Sequence, residues 1–335
     1  MLPYTPFFRQ VLMLLPTFAR LLTQEQPRVQ AALEQAVDRL PASVREVAGY
    51  VLLAGGKRLR PLLTLTAARL FGCERADLYD LAAAPEMIHV ASLLHDDVLD
   101  AADTRRGRRA AHQVFGVIPC LLAGDALLAE ASHRVALFGD PALVLCVSDA
   151  MSRTVAGEAH EIARQHSLAH SLDEYLAIIE GKTAWLLRAS CRLGALFAGA
   201  PEDEVEALSS YGLNLGMAFQ IVDDALDFAD KSVTGKPTGG DLREGKLTPP
   251  VMRYIASLAD AERDAFADSF VHGHFSDAEV VDISRRIRDR GFDADARDMA
   301  NAYLRKAAAC LDALPDRPER KVFRLALSFV RDRRA

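Results

Sequence analysis

Apolar residues recur at three- and four-residue intervals along most of the chain, and alternating β-type runs are almost absent. That period lines one face of a helix, so the pattern predicts an all-α protein. Helices are expected over about 28–53, 60–71, 86–101, 112–138, 141–166, 172–198, 202–230, 248–270, 277–290 and 294–313. Their connections are short, so one bundle-like domain over residues 1–335 is the simplest architecture, with residues 1–27 as an N-terminal segment. The longest irregular stretch, Lys231 to Thr248 (KSVTGKPTGGDLREGKLT), places four glycines and a proline between strongly helical flanks and reads as a functional loop.

The apolar stretch from Met1 to Leu22 is broken by Arg9, Gln10, Pro16 and Arg20. It falls short of the roughly 20 apolar residues a membrane span needs and lacks the layout of a signal peptide. No integral membrane segment is expected, and the cytoplasm is the expected location. The chain has 335 residues, 50% of them hydrophobic and 26% charged, which suits a helix-rich globular protein. A formal net charge of −6 offers no basic field for nucleic acid, so small molecules are the expected partners. The five cysteines are scattered without CxxC spacing, which suggests neither a disulfide framework nor a zinc site.

One pattern occurs twice. Asp96-Asp97-Val98-Leu99-Asp100 and Asp223-Asp224-Ala225-Leu226-Asp227 both read DDxLD, and each follows apolar residues (Leu93 and Leu94; Ile221 and Val222). Helical spacing stacks the first and last carboxylates one turn apart with the second beside them, so three are expected to converge. Like charges so placed repel unless a cation neutralises them. Clustered carboxylate oxygens suit Mg²⁺, which binds through one or two carboxylates and completes its octahedron with waters and substrate phosphates. A phosphate-bearing substrate follows.

The matching cations are present. Gly55-Gly56-Lys57-Arg58-Leu59-Arg60-Pro61 sets Lys57 and Arg60 at a helix start, where free backbone N–H groups already favour an anion. Arg105 and Arg106 follow the first carboxylate set closely and carry guanidinium forks suited to phosphate. Lys182-Thr183 resembles the end of a nucleotide P-loop, but Leu176 stands where that motif needs glycine, so Lys182 is read as a point charge for a diphosphate. His89 and His95-Asp96 also allow a His-Asp phosphohydrolase, although such a site has no use for the second DDxLD.

In order, GGKRLRP, HDDVLDAADTRRG, GKTA, FQIVDDALDF and GKPTGGDLREGK resemble the motifs of the trans-isoprenyl (polyprenyl) diphosphate synthases, over a motif-bearing core of about 44–250. The resemblance implies an all-α fold with a deep central cavity, the two Asp sets on opposite walls, three Mg²⁺ ions and a homodimer. It implies condensation of isopentenyl diphosphate with an allylic diphosphate such as farnesyl diphosphate. By position, Asp96, Asp100 and Asp223 are metal ligands and Asp97, Asp224 and Asp227 support them. Arg105, Lys182 and Lys246 hold the allylic diphosphate, with Thr183, Phe219, Gln220 and Lys236 lining the same region, and Lys57, Arg60, His89 and Arg106 hold isopentenyl diphosphate. Ala91 and Ser92, five and four residues before Asp96, face the growing tail; both are small, which points to a medium or long product, with Ile88, Met87 and Ala84 forming a lower floor. Pro85 is expected to start or kink this helix.

Two other readings compete. A terpene cyclase normally mixes Asn, Ser or Thr with Glu at its second metal site, whereas here that site is all-Asp. A non-catalytic subunit of a heteromeric synthase generally loses one Asp set, and this chain keeps both.

Overall fold

The computed structural model describes residues 16–229 and 238–333, with side chains from residue 24 onward. Helix α1 (Pro16–Arg39) and α2 (Ala42–Leu52) replace the single helix expected over 28–53. The break falls at Leu40-Pro41, where the proline ring disfavours helical backbone in the residue before it. Helix α3 (Leu59–Leu70) follows the Gly-Gly turn, and α4 (Leu78–Leu99) starts earlier than predicted and includes the buried Pro85. Pro85 therefore neither starts the helix nor ends it, and Asp100 is its C-cap residue.

A two-residue hairpin, β1 (Thr104–Arg105) with β2 (Arg108–Arg109), turns at Arg106-Gly107. The stretch expected as 112–138 divides at Gly116 (φ 88°) into α5 (Ala111–Phe115) and α6 (Val117–Ala136). Helix α7 (Pro141–Arg164) leads to α8 (Leu172–Ile179), whose start is fixed by a Ser171/Glu174 capping box. A single π turn (Glu180–Ala184) then precedes α9 (Trp185–Phe197) and α10 (Glu202–Asp227).

Beyond residue 238 come α11 (Gly240–Arg243), α12 (Pro249–Ala256), α13 (Asp260–His272), α14 (Asp277–Asp289), α15 (Phe292–Cys310), a 3₁₀ turn (Leu311–Ala313) and α16 (Pro318–Arg331). Helix α16 lies outside every range predicted from the pattern. Its apolar positions (Val322, Phe323, Ala326, Val330) are buried, with Arg320 and Lys321 before them, Arg324 among them and Arg331 after.

The chain forms two compact units. The first comprises residues 1–151, 186–209 and 313–325, and the second residues 152–185, 210–312 and 326–335. In the first, a core of Ala, Leu and Val side chains from α1, α2, α4, α6, α7 and α9 surrounds the apolar face of α4. In the second, Phe228, Leu242, Val251, Tyr254, Phe270 and Ile287 gather the helices that follow the second DDxLD. No helix among the described residues is long and apolar enough to cross a membrane.

Candidate functional site

In the first unit, the GGKRLRP turn is held by a residue whose role the sequence does not announce. Arg58 adopts left-handed backbone (φ 48°) at the start of α3, and its guanidinium donates to Leu52 O at 2.5 Å and to Glu86 at 2.8 Å. Both charges are buried, Arg58 at 5% exposure and Glu86 at 3%. The pair ties the turn to α4. Glu86 is the lone acid in the apolar run Ala82–Ile88, and that isolation is the signal that could have revealed it.

Around this pair lie the predicted cations. Arg106 donates to Gly55 O at 2.6 Å, and a Cβ at Gly56 (φ 146°) would stand 3.3 Å from the Arg106 guanidinium, so the second glycine lets the two segments approach. Burial pulls Arg60 down to about 10, against the opposing pull of Glu86, which leaves it charged at neutral pH. His89 is held well below its ordinary value by burial and then by Arg60, Arg106, Arg105 and Arg58, so it is a neutral imidazole among cations. The structure thus brings Arg60, His89, Arg105 and Arg106 together; Lys57 lies on the same turn, partly buried.

The first DDxLD does not form the three-carboxylate convergence predicted from spacing. Among the described residues, no three or more His, Cys, Asp or Glu side chains are grouped so that they could hold a metal ion. Successive helical residues point about 100° apart, and Asp97 faces inward, 1% exposed. It takes a hydrogen bond from Arg105 Nε at 2.7 Å, while its second oxygen is buried without a hydrogen-bond partner. Asp96 and Asp100 are partly exposed. Arg105, expected on a diphosphate, is thereby engaged with Asp97. His95 lies against Leu121 O (3.2 Å) and Asp125 (3.6 Å). Ala91 and Ile88 are buried in the first unit's core, and the Ser92 hydroxyl donates to His89 O at 2.9 Å.

In the second unit, the three aspartates of the later motif take different environments. Asp224 is buried and accepts from Tyr175 at 2.5 Å and from Gln220 at 2.8 Å; Thr183 donates to Gln220 at 2.8 Å. Burial pushes Asp224 up to about 7, against the pull of those two hydrogen bonds. Asp227 accepts the backbone N–H groups of Gly240 and Asp241, each at 3.0 Å, and so fixes the start of α11. Only Asp223 is exposed. It pairs with Arg333 at 2.8 Å, and the Arg333 guanidinium lies 4.4 Å from the ring centre of Phe219. Tyr175 escaped the sequence reading because its distance along the chain from residues 223–227 hides the contact.

Lys182 projects from the π turn, a local widening of the helix found often at functional sites. It pairs with Glu158 at 2.7 Å and with Glu161, while Lys246 pairs with Glu244 at 2.6 Å and lies 3.8 Å from Glu161. Lys236 lies outside the described residues, as do residues 231–237 of the loop predicted between Lys231 and Thr248; its described part contains α11.

The oxygen-only donor set fits a hard divalent cation. Asp97 and Asp241 each keep a buried carboxylate oxygen without a hydrogen-bond partner. Burial, and then the charges of Asp227 and Asp224, hold Asp241 well above the ordinary carboxylate range.

The chain is thus all-α, with two DDxLD helices, a clustered guanidinium set and a lysine pair. The polyprenyl synthetase profile matches residues 41–286, and the chain belongs to that family. It is 37% identical to heptaprenyl diphosphate synthase component 2 of Geobacillus stearothermophilus, over 90% of this chain and 94% of that protein. Among solved structures, it is similar to a polyprenyl synthase from Caulobacter crescentus CB15 complexed with calcium and isoprenyl diphosphate (TM-score 0.89, 36% identity, 95% and 98% of the two chains). A decaprenyl diphosphate synthase from Rhodobacter capsulatus is similar to the same degree (TM-score 0.88, 36% identity, 95% and 98%). The enzyme transfers prenyl groups, condensing isopentenyl diphosphate with an allylic diphosphate.

Proposed function

We propose that this enzyme makes a medium or long polyprenyl diphosphate and that Asp96, Asp100 and Asp223 hold three Mg²⁺ ions. The observation that carries the reading is the doubled DDxLD, each copy with one inward aspartate fixed by the fold and another left toward solvent. Lys182, Lys246, Thr183 and Gln220 take the allylic diphosphate. Lys57, Arg60, Arg106 and the neutral His89 take the diphosphate of isopentenyl diphosphate, with His89 as a hydrogen-bond donor. Arg105 orients Asp97, and Lys236 and Phe219 border the allylic site.

Bound Mg²⁺ supplies Lewis-acid stabilisation of the negative charge that builds on the departing diphosphate. The lysines share that charge, which lowers the barrier to breaking the allylic carbon–oxygen bond. The double bond of isopentenyl diphosphate attacks the allylic cation, and the proton lost in the last step goes to the released diphosphate. Apolar side chains keep water from the cation.

Product length is set on α4. One helical turn rises about 5.4 Å, close to the length of an isoprene unit, so Ala91 and Ser92 leave room where a larger side chain would stop the tail. Ala91→Phe is expected to shorten the products, measured by chromatography of labelled material from C5, C10, C15 and C20 primers; an unchanged distribution would refute the ruler.

We also propose a homodimer. Helix α6 exposes Val117, Ile118 (70%) and Leu122 (53%), and α7 exposes Leu145 (62%), an apolar surface that a second copy would cover. Ile118→Glu is expected to give a monomer by light scattering; a dimer of unchanged mass would overturn this. The Geobacillus relative is named as one component of a synthase, which supports a second reading in which this chain works with a different polypeptide. Purified protein that is inactive until that polypeptide is added would favour it.

A further inference from the structure

Helix α7 approaches the π turn at backbone contact. A Cβ on Gly157 would stand 2.4 Å from Lys182 N, and one on Gly181 would stand 2.8 Å from Arg153 O. Both clashes are with main chain, which cannot rotate away, so glycine at these two positions is what permits the approach. The approach places the residues just after Gly157 beside the Lys182 side chain. Glu158 and Glu161, three apart on one face of α7, are the carboxylates that result.

These acids are not equivalent. Glu158 pairs with Lys182, and Glu244 pairs with Lys246. Glu161 Oε2 is the atom that meets both ammonium groups, one in a close pair and the other at 3.8 Å. A single oxygen between two ammonium groups is the arrangement that a bridging phosphate oxygen would present to the same lysines. Two partly buried cations also repel each other unless an anion lies between them. Burial lowers Lys246, but Glu161 first, and then Glu244 and Asp241, reverse this and hold it above its ordinary value.

We propose that Glu161 is a positioning residue for the allylic diphosphate: its carboxylate holds Lys182 and Lys246 turned toward one shared anion. The lysines then exchange a shared carboxylate oxygen for a shared phosphate oxygen with little rearrangement, and the ordering cost is met before substrate arrives. Without Glu161, Glu158 and Glu244 draw the two ammonium groups apart. This inference rests on the assignment of Lys182 and Lys246 to the allylic substrate.

Steady-state kinetics of Glu161→Gln at fixed Mg²⁺, with each substrate varied in turn, tests it. The KM for the allylic diphosphate is expected to rise by about tenfold or more while that for isopentenyl diphosphate stays within about twofold. Glu161→Asp, which keeps the charge, is expected to recover most of the loss, and it serves as the second variant if the amide form does not fold. An allylic KM that is unchanged or lower in Glu161→Gln, or two KM values that rise together, would overturn the proposal. If instead Lys182→Met and Lys246→Met leave the allylic KM unchanged, the underlying assignment fails, and the two failures are told apart by these variants.

Discussion

Asp223→Asn is expected to lower kcat by about 10²–10³-fold, the typical cost of removing one group aimed at charge that develops in the transition state. The amide keeps the shape of the side chain but removes its charge, and with it the counter-charge of Arg333, whose side chain is 9% exposed. Asp223 is the exposed aspartate of its motif, whereas Asp224 and Asp227 are committed to Tyr175, Gln220 and backbone N–H groups. Asp96→Asn is expected to show a loss of similar size. Rates at saturating substrate across a Mg²⁺ titration measure the effect, with calorimetric Mg²⁺ binding as a second readout. A kcat within about threefold of the parent enzyme in both variants would exclude these two carboxylates from ion binding.

Glu86→Gln is expected to destabilise the protein by about 3–5 kcal/mol, because it leaves the Arg58 charge buried without its counter-ion. Arg60 also loses an opposing charge that favours its protonated form. Arg58→Met combined with Glu86→Gln should recover much of the loss, since replacing both members of a buried pair costs far less than removing one. Urea unfolding of the single and double variants measures both effects. A single variant within about 1 kcal/mol of the parent would mean that the pair does not anchor the turn.

The helical class, most element positions and the identity of the charged sets were legible in the sequence because they depend on local period and short motifs. Pro41 and Gly116 divide helices that the apolar period runs together, since hydrophobic spacing carries no record of a backbone turn between two stripes in phase. Pro85 does not mark the start of its helix: it is buried within α4, which begins at Leu78. At the candidate site, the motif residues were readable one at a time, but their division of labour was not. Asp97 and Asp224 differ from their neighbours only in which way the helix turns them. Arg58–Glu86 and Tyr175–Asp224 join residues far apart in the chain, which no local pattern records.

The guanidinium of Arg333 against Asp223 has a thermodynamic corollary. On the proposed assignment of an ion to Asp223, this carboxylate is already paired before uptake, so binding there is a swap of counter-charges, and its observed affinity measures the difference between two pairings. Mass action then makes the trailing residues of α16 and the divalent ion rivals for one anion, each weakening the hold of the other by an equal factor.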